Sequence, residues 1–381
     1  MRISPILKQM NRLIQLIVGA VLLASTSCSY QKNYTIKATL EHLDGQPVYV
    51  VQELFNEGFS TDTIHPDNNT FLLQRPSDSL SAVYLYFNDK TEPIRFYLKN
   101  GDRLTLTGDA NDLFGMQVKG NQINEEISEF RRENRTILVQ LAEKERNIAA
   151  QWETPDYGRE VDALKESLYK KTVSFIEEHP QSPASTILMY EYLLDENNAA
   201  LCDSLLKVLP VEARPLKLQT KIEVILSRIS KNKPGTIFPY FSLQNHNDSI
   251  VNSASFRGKP TVITCWAAND SLSLQEFRFQ KEWYKNIDSK EVNLVSISFD
   301  MDTALWKNRI RTDSLPGKHV RLPEGWNSPW VKNNAIIQLP STFVLDKQGK
   351  IKAHNLKGYA LKEYIEEIVA REDSIRQAGK R

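Results

Sequence analysis

The stretch "TVITCWAANDSLSLQEF", Thr261–Phe277, decides the fold. Thr261, Val262, Ile263, Thr264, Cys265 and Trp266 form an apolar, largely β-branched run with no polar alternation, which predicts a buried central strand. From Ser271 onward the pattern changes to that of an amphipathic helix, with Leu274 and Phe277 at a three-residue step. Between them lie only Ala267, Ala268, Asn269 and Asp270. A buried strand running straight into a helix is the joint of a layered α/β domain.

Working outward, the same alternation continues on both sides. "FPYFSL", "SIVN", "VNLVSISFD", "STFVLD" and "KIKAHN" read as strands, with helices at about 272–288, 302–312 and 361–371. "KNKPGTIFPYF", punctuated by Pro234-Gly235, marks where this domain begins, so it is placed at 234–371. Upstream, 121–231 reads as a helical region. Its charged, Gly-poor segments are broken at Pro155, Pro180, Pro183, Pro210 and Pro215. In its last helix Leu218, Ile222, Ile225 and Ile229 share one face and read as core. Before it, 34–120 consists of short strands separated by Asp44-Gly45, Asp67-Asn68-Asn69 and Asn100-Gly101, the pattern of an antiparallel β-sandwich-like domain.

Residues 1–27 are a separate object. Arg2, Lys8 and Arg12 form a basic n-region and Leu13 to Ala24 a short apolar core, and Ser25, Thr26 and Ser27 lead into Cys28. That run is the length of a signal peptide and too short to span a bilayer. It resembles a bacterial lipobox, which implies cleavage before Cys28 and lipid on that cysteine. The 381 residues carry 48 Lys+Arg against 47 Asp+Glu, a net charge of +1 that gives no field favouring nucleic acid.

The features Phe256-Arg257-Gly258-Lys259-Pro260, Trp266-Ala267, Leu339-Pro340-Ser341-Thr342-Phe343 and the Asp346 to Gly349 turn together resemble the TlpA-like, AhpC/TSA-related thioredoxin-like proteins of bacterial envelopes. The strand domain, with "DGQPVYV" and "FYLKNGDRLTLTGD", resembles an N-terminal domain of unknown function found in such lipoproteins. The resemblance implies a multidomain chain: a sandwich-like domain, a helical middle and a C-terminal α/β thioredoxin fold. It implies a cis bond before Pro340, and an envelope location, periplasm-facing and held to the membrane by lipid. It also implies a Cys-x-x-C pair at the places that Asp270 and Ser273 hold here.

Neither of those residues has an accessible two-electron couple, so dithiol exchange through this turn is excluded. Both have an ordinary structural use, since Ser273 with Glu276 three residues on spells a capping box and Asp270 is an anion at a helix start. Cys265 lies inside the strand, where burial makes a thiol inert, and Cys202 sits on a predicted helix. The six histidines show no pairing at metal-ligand spacing, and no metal or other cofactor is expected. The expectation is a redox-inactive binding or scaffolding module for an envelope protein or peptide, with Trp266, Asp270, Ser273, Leu339 and Pro340 as the candidate groove. The rival expectation is an atypical thiol-disulfide oxidoreductase or antioxidant protein working through Cys265.

Overall fold

The computed structural model describes residues 33–378 apart from 55–57, 78, 88–91, 147–154, 286, 288–289, 335 and 337. The leader segment 1–27 and Cys28 lie outside the described residues. Two compact units divide the chain, Met1–Glu133 and Asn134–Arg381.

In the first unit, strands β1 (Tyr34–Glu41), β2 (Val48–Glu53), β3 (Phe59–Ile64), β4 (Thr70–Arg75), β5 (Ser81–Tyr86), β6 (Ile94–Leu98), β7 (Arg103–Asp109) and β8 (Gln117–Lys119) form two sheets. Their orders are β4-β1-β7-β8 and β3-β2-β5-β6. All pairs are antiparallel except β1 with β7, which run parallel. Alternation drives this packing: Ile36, Ala38 and Leu40 from one sheet and Val50, Val83 and Leu85 from the other point into one shared core. Helix α1 (Gln122–Glu133) belongs to the same unit. Asn124 ties it down, accepting from the Tyr97 amide at 2.9 Å and donating to the Tyr97 carbonyl at 2.7 Å. The lead-in is Gly120 at φ +107°, where a Cβ would stand 1.9 Å from the Arg103 carbonyl oxygen.

The second unit opens with helices α2 (Arg135–Arg146), α3 (Pro155–Glu178), α4 (Pro183–Leu188), α5 (Ala199–Val208) and α6 (Leu216–Lys231). Proline starts rather than interrupts two of them, Pro155 as the first residue of α3 and Pro183 in the first turn of α4. Leu218 and Ile222 are buried in α6.

The remainder is a mixed sheet with helices around it: β9 (Ser242–Asn245), β10 (Ile250–Asn252), β11 (Thr261–Trp266), α7 (Ser271–Tyr284), β12 (Asn293–Ser298), α8 (Thr303–Asp313), β13 (Lys318–Arg321), α9 (Pro329–Asn333), β14 (Ser341–Leu345), β15 (Ile351–His354) and α10 (Gly358–Ala378). The order is β10-β9-β13-β12-β11-β14-β15. Every side chain of β11 is buried, because β12 pairs with it in parallel, β14 antiparallel, and both faces are covered. Two expectations shift. The run "FPYFSL" contributes Phe238 and Phe241 to the core as loop, and the strand starts only at Ser242. The short, charged β13 was not legible as a strand, yet it pairs with β12 along four residues.

Candidate functional site

The register of β11 with β14 sets Thr264 across from Thr342 and Cys265 across from Ser341. One step further the end of β11 at Trp266 stands beside Pro340, whose bond to Leu339 is cis. The candidate residues from the two ends of the sequence stretch are thereby brought to one place.

The backbone there is fixed by buried polar contacts. The Trp266 carbonyl accepts from the Phe299 amide at 2.8 Å. The Ala268 amide donates to both carboxylate oxygens of Asp300, at 2.9 and 3.0 Å, while Ser298 Oγ donates to the same group at 2.7 Å. Asp300 is itself buried. Arg321 donates to the carbonyls of Asp300 and Met301 at 3.2 and 3.3 Å and lies over the Trp306 ring. A carboxylate from the loop just past β12 therefore holds the turn that follows β11.

Asp270 is the N-cap of α7: its Oδ2 accepts from the Ser273 amide at 2.7 Å. This corrects the capping-box reading, because Ser273 is the third helical residue and only its amide is capped. Its hydroxyl is fully buried with no partner among the described residues. Glu276 does not reach back to the cap either. It lies wholly inside, accepting from Gln280 Nε2 at 3.0 Å and from the Gly358 amide at 2.9 Å, and Gln280 continues the chain to Thr264 Oγ1 at 3.1 Å. The signal for that buried glutamate was an acid on the apolar side of the helix, one residue before Phe277.

Of the five candidate groove residues, Trp266, Ser273 and Pro340 are buried, while Asp270 and Leu339 are half-buried. Trp266 packs edge-on against Phe277, ring centres 5.0 Å apart, in a cluster with Ala268, Trp306 and Ile310. The accessible rim thus consists of Asn269, Asp270, Ser271 and Leu339. Trp266 and Ser273 shape it from below instead of lining it.

Lys357 enters from the start of α10. Burial holds its ammonium below the usual lysine range, against the opposing pull of Glu276 and Asp270, with Lys165 adding to the depression and Glu196 resisting it. Glu196, from the helical region of the same unit, accepts from Asn355 Nδ2 at 2.9 Å and lies 2.8 Å from His354 Nδ1. The His354 ring stacks on Phe343 with centres 4.0 Å apart, and its Nε2 is 3.1 Å from Ser341 Oγ, next to Pro340. The helical region therefore reaches the edge of the site, which sequence spacing could not reveal across 159 positions.

Cys202 and Cys265 are free and buried. Burial pushes the Cys202 thiol up to about 12, with Asp195 adding to the rise, and pushes the Cys265 thiol up further. Neither is a thiolate near neutral pH. In the first unit, the parallel pairing of Glu41 with Asp109 gathers Glu41, His42 and Asp109, with ligand atoms within 4.8 Å of one another on an exposed edge. His42 Nδ1 pairs with Asp109 Oδ1 at 3.0 Å, and that contact raises the imidazole above its ordinary range.

A central strand flanked by a parallel and an antiparallel neighbour, running into a capped helix beside a cis-proline, defines a thioredoxin-like domain. Residues 234–354 match the AhpC/TSA family, and residues 34–127 match a domain of unknown function, DUF4369. The thiol-disulfide oxidoreductase ResA of Bacillus cereus is 24% identical over 143 residues, 38% of this chain and 80% of that protein. Among solved structures, the C-terminal domain of a Bacteroides thetaiotaomicron protein described as a thiol-disulfide oxidoreductase is 35% identical, covering 37% of this chain and 99% of that one at a TM-score of 0.35. A thiol-disulfide oxidoreductase from Bacteroides fragilis is 29% identical, covering 35% of this chain and 99% of that one at a TM-score of 0.33.

Proposed function

We propose that this chain is a lipid-anchored envelope protein whose thioredoxin-like domain binds an envelope protein or peptide segment without dithiol exchange. The observation that carries the reading is the state of the turn after β11. Asp270 caps the helix with its carboxylate, Ser273 is sealed below it, and both free thiols of the described residues are buried. A surface of this kind offers backbone groups and a half-polar rim to an extended segment, and such recognition needs no sulfur. The rival reading asks Cys265 to act, but its side chain is packed in the core cluster with Ile263, Ile297 and Phe343 and held in the neutral form by burial. Anchoring rests on the basic n-region, short apolar core and small residues that precede Cys28.

The test is dithiothreitol-driven reduction of insulin by the purified protein. No turnover above the uncatalysed rate is expected; turnover that disappears in Cys265→Ser would replace the binding reading with the oxidoreductase one. In cells, Cys28→Ala is expected to release the protein from membranes, and a membrane-bound, lipid-labelled Cys28→Ala product would remove the anchor from the proposal.

A further inference from the structure

The turn that joins helix α5 to helix α6 carries large apolar side chains on its outside. Val208, at the end of α5, is 77% exposed, Val211 is 67% exposed, and Leu216, at the start of α6, is 78% exposed. Leu201, exposed, and Leu205, half-buried, lead to Val208 along α5 at four- and three-residue steps, so they share its side of the helix. The turn is pinned from below. Leu209 and Ala213 are buried, the Ala213 amide donates to the Pro210 carbonyl at 3.1 Å, and the Ala213 carbonyl accepts from Thr186 Oγ1 at 2.7 Å. Aliphatic side chains held this far out on a fixed turn mark a contact surface.

The charge beside it is basic. Arg214 stands between Val211 and Leu216, half-buried, and its Nε is enclosed with no partner among the described residues. A guanidinium so placed lacks the acceptor that a phosphate would supply. From Ala199 to Lys231, Lys207, Arg214, Lys217, Lys221, Arg228 and Lys231 outnumber the acids Asp203, Glu212 and Glu223. Asp203 is taken up by Lys207, while Glu223 accepts from the neutral Gln219 Nε2 at 2.7 Å. Asp195 and Glu196 lie before the start of α5, at the end away from the turn, and are engaged with Asn198 and Asn355.

A handful of outward side chains on one turn falls well short of the roughly 20–30 residues a side of a stable protein interface. A bilayer asks for less. Aliphatic side chains enter the boundary between headgroups and acyl chains while basic groups stay with the phosphates, and no matching groove is needed. We propose that the turn between α5 and α6 inserts Val208, Val211 and Leu216 into an anionic phospholipid surface, with Arg214 on a headgroup phosphate. Held near the bilayer by the lipid proposed at Cys28, the chain needs only this small second contact to fix which side of the helical region faces the membrane, a consequence that rests on the anchor reading.

The test puts an environment-sensitive dye on the turn. The full chain as processed in cells, carrying Leu216→Cys labelled with nitrobenzoxadiazole, is mixed with vesicles of phosphatidylglycerol or of phosphatidylcholine, and the parent chain treated alike gives the background. Cys202 and Cys265 are buried and take no label. On phosphatidylglycerol a blue shift and quenching by nitroxide-labelled lipid are expected, and neither is expected with the dye at Gln348→Cys, on the turn between β14 and β15. Val208→Ser combined with Val211→Ser is expected to abolish both signals with unchanged circular dichroism, and Arg214→Gln to lower the inserted-to-free ratio about fivefold, the worth of one basic residue at an anionic surface. Flotation without a shift overturns the insertion and leaves the anchor standing, whereas loss of both overturns the two together. An equal shift on phosphatidylcholine overturns the assignment to an anionic surface. A shift that grows with protein concentration without vesicles assigns the turn to a second copy of the chain and overturns the proposal as well.

Discussion

Strands β1 and β11 solve the same problem in opposite ways. Along β1 buried side chains alternate with exposed or half-exposed ones, whereas all six side chains of β11 are buried. A strand with one wet face can keep its polar groups outside, and its sheet is held chiefly by apolar volume. A strand covered on both faces cannot, so polar side chains around it must find partners inside. The β11 sheet does this with three buried chains: Thr264 to Gln280 to Glu276 to the Gly358 amide, Ser296 to His319 to the Leu315 carbonyl, and Ser298 to Asp300 to the Ala268 amide. The sandwich has its own version in Tyr34 to Gln52 to the Pro76 carbonyl. The lesson is that the two units should fail for different reasons, one by losing volume and the other by losing polar partners.

The largest expected effect tests the volume side. Leu85 is fully buried in the shared core of the two sandwich sheets, so Leu85→Ala is expected to destabilise that unit by about 3 kcal/mol through lost transfer energy and the cavity left behind. Urea unfolding followed by far-ultraviolet circular dichroism measures it. A loss below about 0.5 kcal/mol, the size of a surface change, would show that the sandwich is not held by its core.

The next effect tests the polar side and depends on pH. Burial pushes the His319 imidazole down to about 4, from an ordinary value near 6.5. The unfolded chain therefore binds a proton that the folded chain refuses between those two values. The stabilising contribution is complete above about pH 6.5 and is lost as pH falls through about 4, about 3 kcal/mol in all. Urea unfolding monitored by tryptophan fluorescence from pH 8 to 4 should show this slope in the native protein, and the slope difference should vanish in His319→Gln. An identical slope in the variant would mean that other groups carry the acid sensitivity.

The comparison also explains what could be read from the sequence. One-sided strands such as Tyr34–Glu41 and the uninterrupted run Thr261–Trp266 announce themselves by period and length, so the sandwich, the central strand and the helix after it were legible. The strand Lys318–Arg321 was not, because four residues with charged ends carry no periodic signal and its pairing with β12 is a tertiary decision. At the site, Asp270 and Pro340 were legible as a cap candidate and a special bond. The Asp300 clamp, the enclosed Glu276 and the arrival of Glu196 were not, since each is made by a partner far away in the chain. The burial of Trp266 followed from the run Thr261–Trp266, whereas no pattern in the sequence signalled that Ser273 would be closed off from solvent.

The smallest expected effect concerns Asp270, where the two ways of holding a strand meet. Its carboxylate accepts from a free amide at the start of α7, the ordinary work of an N-cap, and Asp270→Ala is expected to cost about 1 kcal/mol. Asn caps as well as Asp, so Asp270→Asn should restore all but a few tenths of that loss. The pair of variants separates cap from charge. If Asn restores stability while capture of an envelope partner is weakened, the negative charge itself serves recognition at the half-buried rim. If Asn restores both, Asp270 acts only by shaping the turn, and recognition falls to the neighbouring Asn269, Ser271 and Leu339. An Asn variant as unstable as Ala would refute the capping role, because it would place the stabilisation in a charge interaction that the Ser273 amide alone does not provide.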